Sequence, residues 1–477
     1  MQLWRTLLIP LALVCALEIP GVEVRLNGQI LPIMNPDGDS HRPLFDYPEG
    51  EGLPLLECLP LTAPMLSVEI LTDSQSRVLD EGEAEQFLQG YLVRHKNGDW
   101  DAYWSHGVMR NVQTMDVRGE ALEPGKLLFW FSWEGADQWQ ALAHRFSQIH
   151  GIEVEALSVP SLSGKMLSTA RARRPLPDLA LLSSSDIPSL TTASLLQEVG
   201  NLEDFTTSAL EAFAYRGGEW AIPIYGDAQI TVYNPNLLSL PQPGLEGFEE
   251  ALKILRDNGV PACWNAYSGY WFLPLSLGFG RETIVDEEGE VPMNDAASLQ
   301  ALEWLLERTM ANDVLPRERE GMMGRFLTGE SGLMLTGSYS IPNLEASHVP
   351  YALAPFPTPP LLDYKGMSVS RRTRMPAAAR AFAAYCSHPG PALWFCESLG
   401  KLPATSSGVS LLGEESWVLQ DAAVRGQVIP PNTSYSAYKN TLWKLLALVL
   451  SNQLSPQEAL EAGQSILDEK KQRRISP

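Results

Sequence analysis

A chain of 477 residues with 45% hydrophobic content can build more than one packed core, so it is globular and of a length for two to four domains. Its formal net charge of −22 excludes unassisted binding to nucleic acid or to an anionic membrane, since both need a basic face that displaces counterions. Five cysteines without a CxxC, and seven histidines without HExxH or HxxxH, leave no metal-ligand spacing, and no metal or cofactor is expected.

The N-terminus carries Arg5, an apolar run from Leu7 to Leu17 and the helix-breaking pair Pro20-Gly21. That run is too short to span a bilayer and fits the apolar region of a secretory signal over residues 1–21. Val14-Cys15-Ala16 allows ordinary cleavage after Ala16, an uncleaved anchor, or lipidation at Cys15. Export makes the periplasm or the cell surface the expected location, with membrane contact only through the N-terminus. An oxidising compartment permits a disulfide among Cys58, Cys263, Cys386 and Cys396, with Cys386 and Cys396 the best pair; the same residues also suit the interior as small hydrophobes.

Residues 22–124 read as a β-rich domain of open role. Short alternating runs (Val22 to Leu26, Leu66 to Leu71, Gln113 to Val117) are separated by turn clusters such as Asn35-Pro-Asp-Gly and Asn97-Gly-Asp, with one helical segment, Glu83 to Leu92. Trp100, Tyr103 and Trp104 are either core or a binding platform.

At Lys126 the rhythm changes. Leu127 to Phe131 is an apolar run, followed by a helix with Trp139, Leu142, Ala143, Phe146 and Ile149 at helical spacing, the strand Ile152 to Leu157, a second helix, and the strand Leu179 to Leu182. This βαβαβ order predicts a parallel sheet covered on both faces. Ile222 to Leu238 then reads as a crossover between two lobes, with a strand from Gln229 to Tyr233 and Asp227 turned to the cleft. Helices are expected over Phe248 to Arg256, Ala296 to Met310, Gly324 to Leu327, Pro376 to Tyr385, Pro391 to Glu397, Ser436 to Leu450 and Pro456 to Lys470. Strands are expected over Pro261 to Trp264 and Leu333 to Leu335, with a second crossover at Tyr351 to Phe356.

Three stretches carry a resemblance. KLLFWFSWEGADQWQALAHRFSQIHGIEVEA gives an opening strand, cleft turn, helix and glycine-led strand; LPDLALLSSSDIPSLTTASLLQEV leads to the crossover GGEWAIPIYGDAQITVYNPNLL; and FLTGESGLMLTGSYSIPNL closes the series. Over about residues 126–469 the chain resembles the maltose-binding type of extracellular solute-binding protein served by ABC transporters. It departs from that pattern at Tyr339, where the family often has Trp, and at Leu333 and Met334, which stand for its Ala-Met order.

The resemblance implies a two-lobed α/β fold over residues 125–477, hinged between a first lobe (about 125–229 and 353–410) and a second (about 230–352 and 411–477). It also implies a sugar or oligosaccharide ligand and ABC permease subunits as partners. Ligands of open parallel sheets sit beyond the carboxyl ends of the strands. That rule selects Trp133 and Glu134, then Ser183 and Ser184, then Tyr225 and Asp227 in the first lobe and crossover. From the second lobe come Tyr270, Trp271 and Tyr339, with Tyr435 and Tyr438 at the matching family position. Flat rings for apolar sugar faces and side chains for hydroxyls are what a neutral sugar requires. The alternatives are core packing for Trp271 and Tyr438, a helix cap for the serines, a hinge-turn cap for Asp227, and a glycan hydrolase using Glu134 with Asp227, or a ligand-sensing surface protein. No enzyme is expected: a GxSxG elbow is absent and no His lies in a matching loop.

Overall fold

In this computed structural model, residues 16–475 are described apart from 18, 20, 32, 35–43, 201, 287–288 and 317. Of the leader read over residues 1–21, residues 1–15 with Cys15, and 18 and 20, lie outside the described residues, as does the turn at Asn35.

The N-terminal region forms two five-stranded sheets. One runs Gln29–Ile30, Glu23–Leu26, Val112–Ala121, Thr62–Thr72, Ser76–Leu79; the other runs Gly107–Met109, Trp100–Trp104, Tyr91–Arg94, Gly50–Pro54, Phe45–Tyr47. Trp100 and Trp104 are buried with Val68, Ile70, Phe87 and Met115, and Tyr103 stacks on Tyr91, so these aromatics are packing residues and not an open platform. The expected helix from Glu83 to Leu92 is Glu81–Leu88. Asp80 caps its start, and Gly90 ends it, because the chain there passes so close to Tyr103 that a Cβ would stand 2.1 Å from a carbonyl oxygen. Residues Tyr91–Arg94 therefore turn back as a strand.

From Lys126 onward the chain builds one eleven-stranded sheet. Its elements are β1 (Lys126–Phe131), α1 (Ala136–His150), β2 (Glu153–Ser158), α2 (Leu162–Arg171), β3 (Leu179–Ser183), β4 (Ile222–Tyr233), α3 (Gly244–Asp257), β5 (Ala262–Trp264), α4 (Gly269–Gly278), α5 (Ala296–Met310), β6 (Val314–Pro316), α6 (Arg319–Leu327), β7 (Leu333–Gly337), β8 (Ala352–Pro355), β9 (Leu361–Val369), α7 (Pro376–Ser387), α8 (Pro389–Leu399), β10 (Leu402–Pro403), α9 (Trp417–Arg425), α10 (Thr433–Leu450) and α11 (Pro456–Ile475). The strand order is β2-β1-β3-β9-β4-β7-β5-β6, and the remaining three strands pair at the side, β8 and β10 on β4 and the short strand Gln427–Val428 on β9. Strand β4 is longer than the five residues read from the sequence and spans both lobes. Its Ile222 to Ala228 pair antiparallel with β9, and its Gln229 to Tyr233 pair with β7. The return crossing runs from β8, on the second-lobe end of β4, into β9 on the first-lobe end.

Alternation along the strands assigns the cores. In β3, Leu179 and Leu181 face α1, α7 and α8 with Trp139, Phe146 and Phe382, while Ala180 and Leu182 face the opposite layer. In β7, Leu333 and Leu335 face the core of the second lobe, whereas Met334 joins the layer shared with the first. Burial of each large side chain contributes about 1.5 to 3 kcal/mol, which is why the α1 stripe at Trp139, Leu142, Phe146 and Ile149 forms as its spacing predicts. Cys58, Cys263, Cys386 and Cys396 are thiols buried inside these cores, and none is in a disulfide. The Cys386–Cys396 disulfide that export would permit is not formed; both residues follow the other reading, as small hydrophobes.

The N-terminal sheets are docked on the first lobe through buried polar contacts. Arg145 of α1 lies 2.6 Å from the fully buried Glu57 carboxylate, with its guanidinium over Phe45. His388, between α7 and α8, bonds the Gly90 carbonyl at 2.9 Å and Tyr47 at 3.4 Å. Its burial pushes the imidazole pKa down to about 4, so it is held neutral.

Candidate functional site

The carboxyl ends of β1, β3 and β7 converge on the middle of β4. In the β4–β9 register Tyr225 lies opposite Lys365, and Asp227 opposite Asp363; residues two apart on a strand share a face, so these four side chains form one polar patch in an apolar sheet. The other face at the same level holds Tyr364, which bonds Ser208 at 3.0 Å inside the shared core.

Lys401 organises the patch. It follows Gly400, whose left-handed backbone (φ +63°) ends α8, and its ammonium is wholly buried. The Nζ donates to Asp227 Oδ1 at 2.6 Å and to Glu134, which β1 delivers through the turn before α1. Burial alone would lower the Lys401 pKa, but the Asp227 and Glu134 carboxylates more than offset it, so the ammonium stays charged. Beside it, Lys365 pairs with Asp363 at 2.7 Å and lies 4.8 Å from the centre of the Trp133 ring.

Aromatic rings wall this polar floor. Lys401 Nζ is 5.4 Å from the Tyr225 ring and 5.7 Å from that of Tyr339, which the short turn after β7 brings across from the second lobe. Tyr270, half-buried, is held by the fully buried Gln229, whose amide donates to the Tyr270 carbonyl at 3.1 Å and accepts from the Leu361 N–H at 2.8 Å. The Tyr225 and Tyr435 hydroxyls are buried and have no hydrogen-bond partner among the described residues. Both phenol pKa values are pushed well up, by burial first and then by nearby carboxylates, Asp227 for Tyr225 and Asp363 for Tyr435. A buried hydroxyl without a partner costs about 1 to 3 kcal/mol, so a bound group that supplies one recovers that energy.

The residues chosen from the sequence thus divide. Trp133, Glu134, Asp227, Tyr270 and Tyr339 meet in the crevice, with the buried rings of Tyr225 and Tyr435 behind them. Trp271 and Tyr438 do not join them: both are buried in the second-lobe core, Trp271 packing on Phe356. Ser183 and Ser184 sit at the right strand end but are occupied. Asp186 Oδ2 accepts from the Ser183 Oγ at 3.0 Å and from the Ser183 N–H, while the Ser183 side chain accepts from the Asp186 N–H, a reciprocal cap for the following turn, and Ser184 is buried. Sequence reasoning missed Lys365, Asp363, Lys401 and Gln229. Three carry a signal, a polar residue inside an otherwise apolar strand; Lys401, just past a helix end, carries none in the local sequence.

A sequence profile for a family described as bacterial extracellular solute-binding protein matches residues 141–424, well over half of the chain. The chain belongs to this family. The maltotriose-binding protein of Pyrococcus abyssi is 20% identical over 244 residues, 49% of this chain and 54% of that protein. The chain thus spans about half the length of the curated relative it matches. Among solved structures, the GacH receptor of Streptomyces glaucescens, known unliganded and in complex with acarbose, superposes with a TM-score of 0.66 at 22% identity, over 73% of this chain and 99% of that one. At that identity the likeness is one of fold, and it confirms the two-lobed α/β architecture.

Proposed function

We propose that this solute-binding protein captures a neutral sugar or oligosaccharide between its lobes and delivers it to the permease of an ABC transporter, outside the cytoplasm. The observation that carries the reading is the composition of the crevice: paired charges on β4, β9 and the Lys401 turn form a fixed floor of hydrogen-bonding groups, and rings from both lobes stand around it. Pyranose rings present apolar C–H faces and a rim of hydroxyls, and this arrangement answers both. Three carboxylates (Glu134, Asp227, Asp363) outnumber two ammoniums (Lys365, Lys401), which disfavours phosphate esters and other anions. The maltotriose named for one relative and the acarbose bound by another are of the same chemical class.

The carboxylate pair supports binding rather than hydrolysis. A glycosidase needs one carboxyl protonated beside the leaving oxygen. Here Glu134 and Asp227 share one ammonium. Among the described residues no helix is long and apolar enough to cross a membrane.

Tyr339 tests the reading. If its ring stacks on the sugar, Tyr339→Ala weakens binding by roughly 1 to 3 kcal/mol in a calorimetric titration and leaves the melting temperature of the unliganded protein nearly unchanged. Normal affinity in a mutant that melts well below the parent would make Tyr339 a packing residue and place the ligand elsewhere.

A further inference from the structure

The net charge of −22 conceals a local exception at the pole of the first lobe where β1 and β3 begin. Two loops meet there, Arg171-Ala-Arg-Arg at the end of α2 and Arg371-Arg-Thr-Arg before α7. Asp178 joins them: its carbonyl accepts from the Ser370 N–H at 2.9 Å and its Oδ1 accepts from Thr373 Oγ1 at 2.6 Å, while Oδ2 accepts from the Leu128 N–H. Arg174 lies four residues before Asp178, so the chain keeps it within about 14 Å of that joint. All six arginines are exposed, and among the described residues none of their guanidinium groups enters a salt bridge. Carboxylates at this pole are engaged elsewhere: Glu153 and Glu155 share Lys126, and Asp178 holds the joint.

Local folding accounts for only half of the cluster. Arg171, Arg173 and Arg174 suit the negative C-terminal end of α2, but Arg371, Arg372 and Arg374 precede the positive N-terminal end of α7, where cations are disfavoured. The crevice does not use them either. They lie about 15 Å of strand away from it, at the opposite ends of β1, β3 and β9 from Glu134, Ser183 and Lys365. Neither loop contains an aromatic residue, so the stacking partners of a nucleic-acid site are missing. Guanidinium groups bind phosphate oxygens through paired N–H donors. At physiological salt, charges more than about 8 Å away are largely screened, so the cluster sets the contact at this pole and the acidic remainder of the chain does not. We infer that these six arginines form a docking face for the phosphate headgroups of an anionic phospholipid membrane.

Co-sedimentation of the full chain with vesicles tests this, using phosphatidylcholine alone and phosphatidylcholine mixed with phosphatidylglycerol. The parent is compared with R171Q/R173Q/R174Q, with R371Q/R372Q/R374Q, and with R94Q/K96Q/K253Q, which makes the same change of charge on exposed residues elsewhere. The parent binds the mixed vesicles, more weakly as salt is raised, and does not bind phosphatidylcholine. Each loop variant lowers the partition coefficient at least about tenfold and melts with the parent, whereas the third variant stays within about twofold. The two loops are substituted separately, so a fold defect in one variant leaves the other to decide. No binding of the parent to the mixed vesicles, equal binding to both kinds, or a loss as large in the third variant as in the loop variants overturns the docking face. Tighter binding of a DNA duplex than of the mixed vesicles in the same buffer, lost in the loop variants, overturns it too and assigns the arginines to nucleic acid.

Discussion

At the scale of single residues the site depends on a charge that would be costly alone. An ammonium buried without partners loses several kcal/mol of hydration, and Lys401 is tolerated there only because Asp227 and Glu134 both bond it. Replacing it by Met leaves two carboxylates close together without a counter-ion. Lys401→Met is expected to destabilise the unliganded protein by about 3 kcal/mol, near the lower end for a broken buried pair because Glu134 is about a third exposed and screened by solvent. The pH dependence has a defined sign. The folded pKa of Lys401 lies above its ordinary value, so its contribution is complete below about pH 10.5 and is lost as pH rises through the folded value. Denaturant melts of parent and mutant from pH 6 to 11 check this: the gap between them stays constant to about pH 10 and narrows above it. A gap that closes between pH 6 and 9 would mean that Lys401 is not held charged by its neighbours.

At the scale of elements, most of the architecture was legible and most of the floor of the site was not. Periodicity placed α5 at Ala296–Met310 without error, and the order of strand and helix after Lys126 gave the parallel strands β1 to β3 and the first crossing; the expected second crossing at Tyr351 to Phe356 is instead the second-lobe strand β8, and the strand β9 that follows it was not read. These signals are strong because burial of an apolar stripe is what forms the element. Element ends were less legible, since they depend on tertiary approach: Gly90 stops a helix that propensity would continue, because the Tyr103 carbonyl occupies the space of a Cβ. The strand-end rule selected Trp133, Glu134, Asp227, Tyr270 and Tyr339, which the fold brings together although Asp227 lies within β4 and Tyr270 in the first turn of α4. It also selected Trp271 and Tyr438, because a helix start near a cleft presents some rings inward to the core, and spacing alone does not fix the rotation of the helix. Lys401 escaped it because its role comes from tertiary approach, the turn after α8 bringing it to Asp227 and Glu134, which local sequence does not display.

At the scale of the whole molecule, two structural units meet through groups that titrate or pair in the dark. The N-terminal sheets sit on the first lobe through Glu57–Arg145 and the neutral His388, so they are built as part of that lobe's frame. His388 has its folded pKa depressed from 6.5 to about 4, so its contribution is present above pH 6.5 and is lost as pH falls towards 4. The full loss is about 3 kcal/mol. Melts of the parent should fall more steeply between pH 6.5 and 4.5 than those of His388→Gln, which keeps a hydrogen bond and cannot charge. Parallel curves for the two proteins would remove His388 from the acid sensitivity.

The central proposal is that the crevice between the lobes takes a neutral sugar. A thermal-shift panel of mono- and oligosaccharides, polyols, amino acids and phosphate esters asks that directly, because a ligand of the native state alone raises stability by about 2.7 kcal/mol at a hundredfold excess over its dissociation constant. Sugars alone are predicted to raise the melting temperature, and the shift is predicted to shrink in Tyr339→Ala. A shift confined to phosphate esters or amino acids, with none for any sugar, would contradict the account.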